Sequence, residues 1–187
     1  PIEFSCALLN HHAGMYSRRT IVEEIRRMGV TILSPCINRS AETFNIEPEV
    51  KKRPLGGKKI RTSLRQVKGL SSASLERIFA GRPFSNLVDF IRLATIPRRE
   101  IEALILAGAF DSTCKGANHP QLLWELESRY REESGRGNPG ILTLDTDTTE
   151  YPPLADYPPW RRLCNELEHL EMNIHVHPVS LCRRRLE

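Results

Sequence analysis

A five-residue turn, Val67-Lys68-Gly69-Leu70-Ser71, constrains this chain more than any other stretch. An apolar residue, a spacer, a glycine and a second apolar residue lead straight into a helix. Such a turn needs a backbone conformation that glycine reaches freely and other residues enter only at a cost. It also leaves the first amides of the following helix without partners inside that helix. Those amides, at the positive end of a helix dipole, form a seat for a phosphate. The approach to the turn is charged to match. Residues 51–68 hold Lys51, Lys52, Arg53, Lys58, Lys59, Arg61, Arg65 and Lys68, with no Asp or Glu among them. The whole chain of 187 residues carries a formal net charge of +4, so everything outside this segment is net negative. Basic charge concentrated in this way is what attraction to a nucleic-acid backbone requires. The candidate DNA-binding residues are therefore Lys58, Lys59, Arg61, Arg65, Lys68, Gly69, Leu70, Ser71 and Ser72.

Downstream of the turn the apolar residues recur at helical spacing. A helix over 72–80 places Leu75, Ile78 and Phe79 on one face, and Gly81-Arg82-Pro83 breaks it. A second helix over 86–94 carries Leu87, Phe90 and Ile91. Thr95-Ile96-Pro97 forms a turn with proline at a first helical position, and a third helix with Ile101, Leu104 and Ile105 stops at Gly108. Two hairpin-joined helical units in tandem read as a double helix-hairpin-helix. The second turn has no glycine, which predicts a structural role for it. On these residues alone, the alternative is a small helical bundle with a basic surface.

The flanking regions are read the same way. A helix over 2–10, with Phe4, Leu8 and Leu9 apolar, is followed by a break at His11–Gly14. The next helix, Ser17–Met28, turns Ile21, Val22, Ile25 and Met28 to a core; Thr20 and Glu23 have capping-box spacing and compete with Ser17 for the cap. Val30–Leu33 is strand-like and stopped by Ser34-Pro35, and Thr43–Ile46 can pair either with it or with Ile60–Leu64. Near the other end, helices are predicted over 121–132 and 159–170, the latter with Trp160, Leu163, Leu167 and Leu170. Between them the glycine, proline and short polar residues of 134–158 predict a flexible linker. His175-Val176-His177 alternates as a strand does.

Several function classes find no support. No run of eighteen apolar residues marks a membrane helix. The start, Pro1-Ile2-Glu3-Phe4, lacks the pattern of a signal peptide; with no initiating Met it reads as the start of an excised fragment. The cysteines at 6, 36, 114, 164 and 182 form no C-x-x-C, which argues against structural zinc and fits reduced thiols in the cytoplasm. His175 and His177 share a face but lack a carboxylate or cysteine on the same element, so no metal site is assigned. Asp145-Thr146-Asp147 has the spacing of magnesium-binding carboxylates, yet it lies in the linker, where a metal would be poorly held. No catalytic residue is assigned.

The run ALLNHHAGMYSRRTIVEEIRRMGVTILSPCINRS resembles the fingers region of the bacterial DNA polymerase III alpha subunit family. The residues that carry the resemblance are Ala7-Leu8-Leu9-Asn10, Tyr16, Arg27-Met28-Gly29-Val30, Ile32, Pro35, Asn38 and Ser40. IRTSLRQVKGL is similar to that family's strand and first hairpin, and RREIEALILAGAFD to its last hairpin helix. The resemblance covers 1–113 and returns at LEMNIHVHPVSL, where Glu171 stands in place of the family's glycine. ALLN-H and Tyr16 lean towards the error-prone branch. The implied architecture is mainly α with a small β component. An α/β end of the fingers (1–54) precedes the tandem helix-hairpin-helix (55–113), a helix (114–133), the linker (134–158) and a C-terminal helix and strand leading to the next module (159–187). The resemblance implies a non-catalytic piece of a DNA-directed DNA polymerase acting in replication, repair or translesion synthesis, with double-stranded DNA as partner. It implies no cofactor in this piece and Mg2+ in the parent enzyme. The alternative is a protein-interaction module that docks other replication or translesion subunits.

Overall fold

The computed structural model describes residues 2–11, 14–47, 59–135 and 151–183, the side chains of 131–135 and 183 excepted. Two helices open it, α1 (Ile2–His11) and α2 (Arg18–Arg27). Ser17 takes the cap, its Oγ accepting the Thr20 N–H at 3.3 Å, so the helix begins one residue later than Ser17. Ile2, Cys6 and Leu9 of α1 and Ile21, Val22 and Ile25 of α2 are buried in one core. Met28, expected to face the core, is exposed, as are the apolar Phe4 and Leu8; Phe4 alone shows 67% of its surface. Helical period marks an apolar stripe, but it does not say how much of the stripe is covered.

A three-stranded sheet follows, made of β1 (Thr31–Leu33), β2 (Asn45–Ile46) and β3 (Lys59–Arg61), in the order β1-β3-β2. β3 lies between a parallel neighbour, with Ile32 opposite Ile60, and an antiparallel one, with Ile46 opposite Ile60. Of the two pairings open in the sequence, Asn45–Ile46 takes the one with Ile60. Ile60 is fully buried and seats the sheet on α1 and α2.

The double hairpin is built from a 3-10 turn (Leu64–Gln66), α3 (Ser72–Gly81), α4 (Leu87–Ala94) and α5 (Arg98–Leu106). Phe90 is fully buried and meets Phe84 and Phe110 edge-on, with ring centroids 4.9 and 5.0 Å apart. Each such pair adds about 0.5–1.5 kcal/mol beyond the area it buries. Then come α6 (His119–Gly135), α7 (Pro159–Leu170) and α8 (Pro178–Arg183). The end of the expected linker, 151–158, is held in place. Tyr151 donates its hydroxyl to Glu125 at 2.7 Å, Asn118 Nδ2 donates to the Leu154 carbonyl at 2.7 Å, and Gln121 Nε2 to that of Pro152 at 3.0 Å. Residues 136–150, with Asp145 and Asp147, lie outside the described residues.

The strand expected at His175–His177 does not form. The buried Glu166 carboxylate accepts the Ile174 N–H at 2.6 Å and the His175 N–H at 3.3 Å, and it also binds the His175 ring. These bonds fold 171–177 into a turn, with α8 starting at Pro178. Among the described residues, no helix is long and apolar enough to cross a membrane.

Candidate nucleic-acid interface

The first hairpin is built on a firm underside. Val67 is buried and its N–H closes the 3-10 turn on the Leu64 carbonyl at 3.0 Å. The Lys68 N–H donates to the His169 carbonyl at 2.8 Å, and Gln66 Nε2 donates to the Leu170 carbonyl at 2.8 Å. Both carbonyls belong to the last turn of α7, where helix carbonyls need outside partners. Residues on α7 thus brace the hairpin from 104 positions away in the chain. Nothing in the sequence signals this contact.

Above that underside the turn is open. Gly69 adopts φ +86°, a left-handed value, and a Cβ built there would meet nothing within 4 Å. Leu70 packs against the core edge, and Ser71 caps α3, its Oγ accepting the Ser74 N–H at 3.2 Å. Ser72 is exposed as the first residue of α3. The Ser71 N–H points to Oε2 of Glu100 at 3.3 Å. An oxyanion of the chain itself therefore stands beside the amide that the sequence marks for a phosphate.

The candidate cations fare unequally. Lys68 Nζ lies 2.8 Å from Oε1 of Glu171, with both side chains about half exposed. Arg65 pairs with Glu42, also in the open. Exposed pairs of this kind contribute roughly 0–1 kcal/mol, so an incoming phosphate can displace either carboxylate. Arg61 is different and is a correction to the sequence reading. It is only 8% exposed; its Nε meets Glu47 at 2.6 Å and one of its terminal nitrogens donates to the Ser34 carbonyl at 2.8 Å. Withdrawing a partner from so enclosed a pair costs about 3–5 kcal/mol, which holds Arg61 to the sheet and off the surface. Lys59 is exposed at the start of β3. Lys58, like Lys51, Lys52 and Arg53, lies outside the described residues. The structure thus brings Arg65 and Lys68–Ser72 together and sets Arg61 apart.

Glu171 ends α7 at φ +58°, a left-handed position that favours glycine. Beside it the chain turns onto α2, where a terminal nitrogen of Arg26 donates to the Asn173 and Ile174 carbonyls at 2.7 and 2.8 Å. His175 is anchored by its hydrogen bond to Glu166, which holds its pKa above the ordinary value.

The second hairpin turn is closed by contrast. Thr95 takes the left-handed position at φ +46°, Ile96 is buried, and Arg77 donates to the Thr95 carbonyl at 2.7 Å. Pro97, at the cap of α5, has no N–H to offer.

A family profile for the helix-hairpin-helix motif matches residues 29–122, which takes in the sheet as well as both hairpins. Over its whole length the chain is 31% identical to an error-prone DNA polymerase of Symbiobacterium thermophilum and 31% to one of Bdellovibrio bacteriovorus. It is 30% identical, again over its whole length, to one of Corynebacterium glutamicum. It spans 21%, 18% and 16% of the length of these relatives, respectively. With the helix-hairpin-helix class thus defined, the chain belongs to the bacterial DNA polymerase III alpha family, on its error-prone branch.

Proposed function

We propose that this chain grips duplex DNA through backbone phosphates while a parent polymerase of the error-prone type copies it, and that it takes no part in the chemical step. The observation that carries this reading is the Gly69 turn: an open left-handed glycine, a lysine on one side and the capped start of α3 on the other, inside the matched helix-hairpin-helix. Contacts of this kind position a duplex without reading its sequence. Glu171 and Glu100 swing aside as a phosphate arrives. The carboxylates that bind Mg2+ for nucleotide transfer belong, in this reading, to the parent enzyme, and the work is done in the cytoplasm.

The test is duplex affinity measured against salt. The wild-type chain is expected to bind any duplex sequence with a strongly salt-dependent constant. Lys68→Ala weakens all sequences alike and lowers the log–log salt slope by about 0.9, the value for one phosphate contact on B-DNA. Because the Lys68–Glu171 pair is exposed, its thermal stability stays within about 1 kcal/mol of wild type. A chain that fails to bind duplex, or binds with no salt dependence, overturns the reading. A docking role for other subunits has one observation in its favour. A groove of about 410 Å³ on α1 and α2 is lined by Phe4, Leu8, Tyr16, Ile21 and Met28, four of them exposed. Association of that face with a polymerase subunit, insensitive to salt, would bring this second reading forward.

A further inference from the structure

Between the first hairpin and the start of α2 lies a polar groove of about 490 Å³ that opens at Gly69. Three cations line it, Arg18, Arg65 and Lys68. Two of them are met by carboxylates that also line it, Arg65 by Glu42 and Lys68 by Glu171. Arg18 is not met. Its Nε is shut off from solvent and has no hydrogen-bond partner among the described residues. A guanidinium nitrogen removed from water with nothing returned is unfavourable for the free protein, and buried donors are rarely left in that condition. The fork geometry of guanidinium suits a phosphate, and a rotation of the Arg18 side chain into the groove would bring Nε an acceptor.

We propose that this groove seats a second backbone phosphate of the DNA strand held at Gly69, and that Arg18 is its donor. The inference rests on the reading of the hairpin as a phosphate grip and extends it to a residue on a different element. The strand that reaches Lys68 and Gly69 continues over the groove, because both residues form one of its walls. Among the described residues Arg18 also has no hydrogen bond or ion pair that would explain it. It opens α2, whose first turn holds no acid, at the end of the helix where a cation is disfavoured.

The experiment compares four forms of the full chain, wild type, Arg18→Gln, Arg19→Gln and Lys68→Ala, by fluorescence anisotropy of a labelled duplex across salt concentrations. Arg19 is the control: it is the exposed neighbour on the same helical turn and does not line the groove. Arg18→Gln is expected to lower the log–log slope by about 0.9 and the affinity severalfold. Arg19→Gln changes the slope by clearly less. The melting temperature of Arg18→Gln is expected to equal or exceed that of wild type. Arg18→Gln with wild-type slope and affinity overturns the groove proposal, and so does a fall of several degrees in its melting temperature, which would make Arg18 a structural residue. If Lys68→Ala still weakens binding in that case, the hairpin reading survives. If neither variant differs from wild type, both fall.

Discussion

The two hairpin turns solve the same connection in opposite ways. At Gly69 the left-handed residue is a glycine with open space above it, and the underside is held by α7. At Thr95–Pro97 the left-handed residue carries a side chain, the next is buried, and the third has no amide hydrogen. The first turn therefore keeps polar backbone at the surface, where an anion can reach it. The second turn puts its apolar residue into the core. Tandem repeats of one motif need not repeat its chemistry: in the function proposed above, one copy binds while the other holds the binder in place.

The largest expected effect tests the closed turn. Ile96→Ala removes a buried side chain and should cost about 2–5 kcal/mol in denaturant melts. The folded fraction should bind duplex as tightly as wild type; a loss of affinity with a changed salt slope would erase the distinction between the turns. Gly69→Val is next. The added Cβ has room, so the strain is in the backbone alone, roughly 1–3 kcal/mol. Its duplex affinity should drop about tenfold, or roughly 1.4 kcal/mol. If folded Gly69→Val binds as well as wild type, the open turn is not the grip.

Glu171→Gly sharpens the comparison from the bracing side. A residue other than glycine in the left-handed region costs roughly 1–2 kcal/mol, and this relief is offset by glycine's entropy of about 0.5–1 kcal/mol and by loss of an exposed ion pair. Stability should thus stay near that of wild type, while duplex affinity rises because Lys68 loses its competitor. Weaker binding would mean that Glu171 orients Lys68 instead. The smallest effect is a pH dependence. The Glu166 carboxylate holds the His175 pKa above 6.5 in the folded chain. That contribution to stability is full below 6.5 and is lost as pH rises through the higher folded value. Melts of wild type and His175→Gln should therefore converge with rising pH; a gap that widens instead would reverse the assignment.

Much of this was legible in the residues. The helices were, apart from the short α8, and α7 begins and ends where its spacing places it, because a period of 3.6 residues is local. The Gly69 turn was legible because glycine suits its backbone best. Charge was legible as a quantity and misleading as a surface. Residues 51–68 contain no acid, yet Arg61, Arg65 and Lys68 find Glu47, Glu42 and Glu171 from outside that segment. The alternation at 175–177 is too short to outweigh a buried carboxylate seeking donors. The sequence reading did not single out Arg18, although two arginines opening a helix without an acid was a readable sign.

The brace beneath the hairpin has a consequence for the order in which the chain is made. Gln66 waits for a carbonyl that comes 104 residues later, and Lys68 waits for the residue before it. A ribosome delivers the turn long before it delivers the floor on which the turn rests. Closing so long a loop carries an entropy cost that only the finished contacts offset. The turn proposed to grip DNA is thus among the last parts to become rigid, and a nascent chain arrested before His169 would carry the Gly69 turn without its two α7 hydrogen bonds.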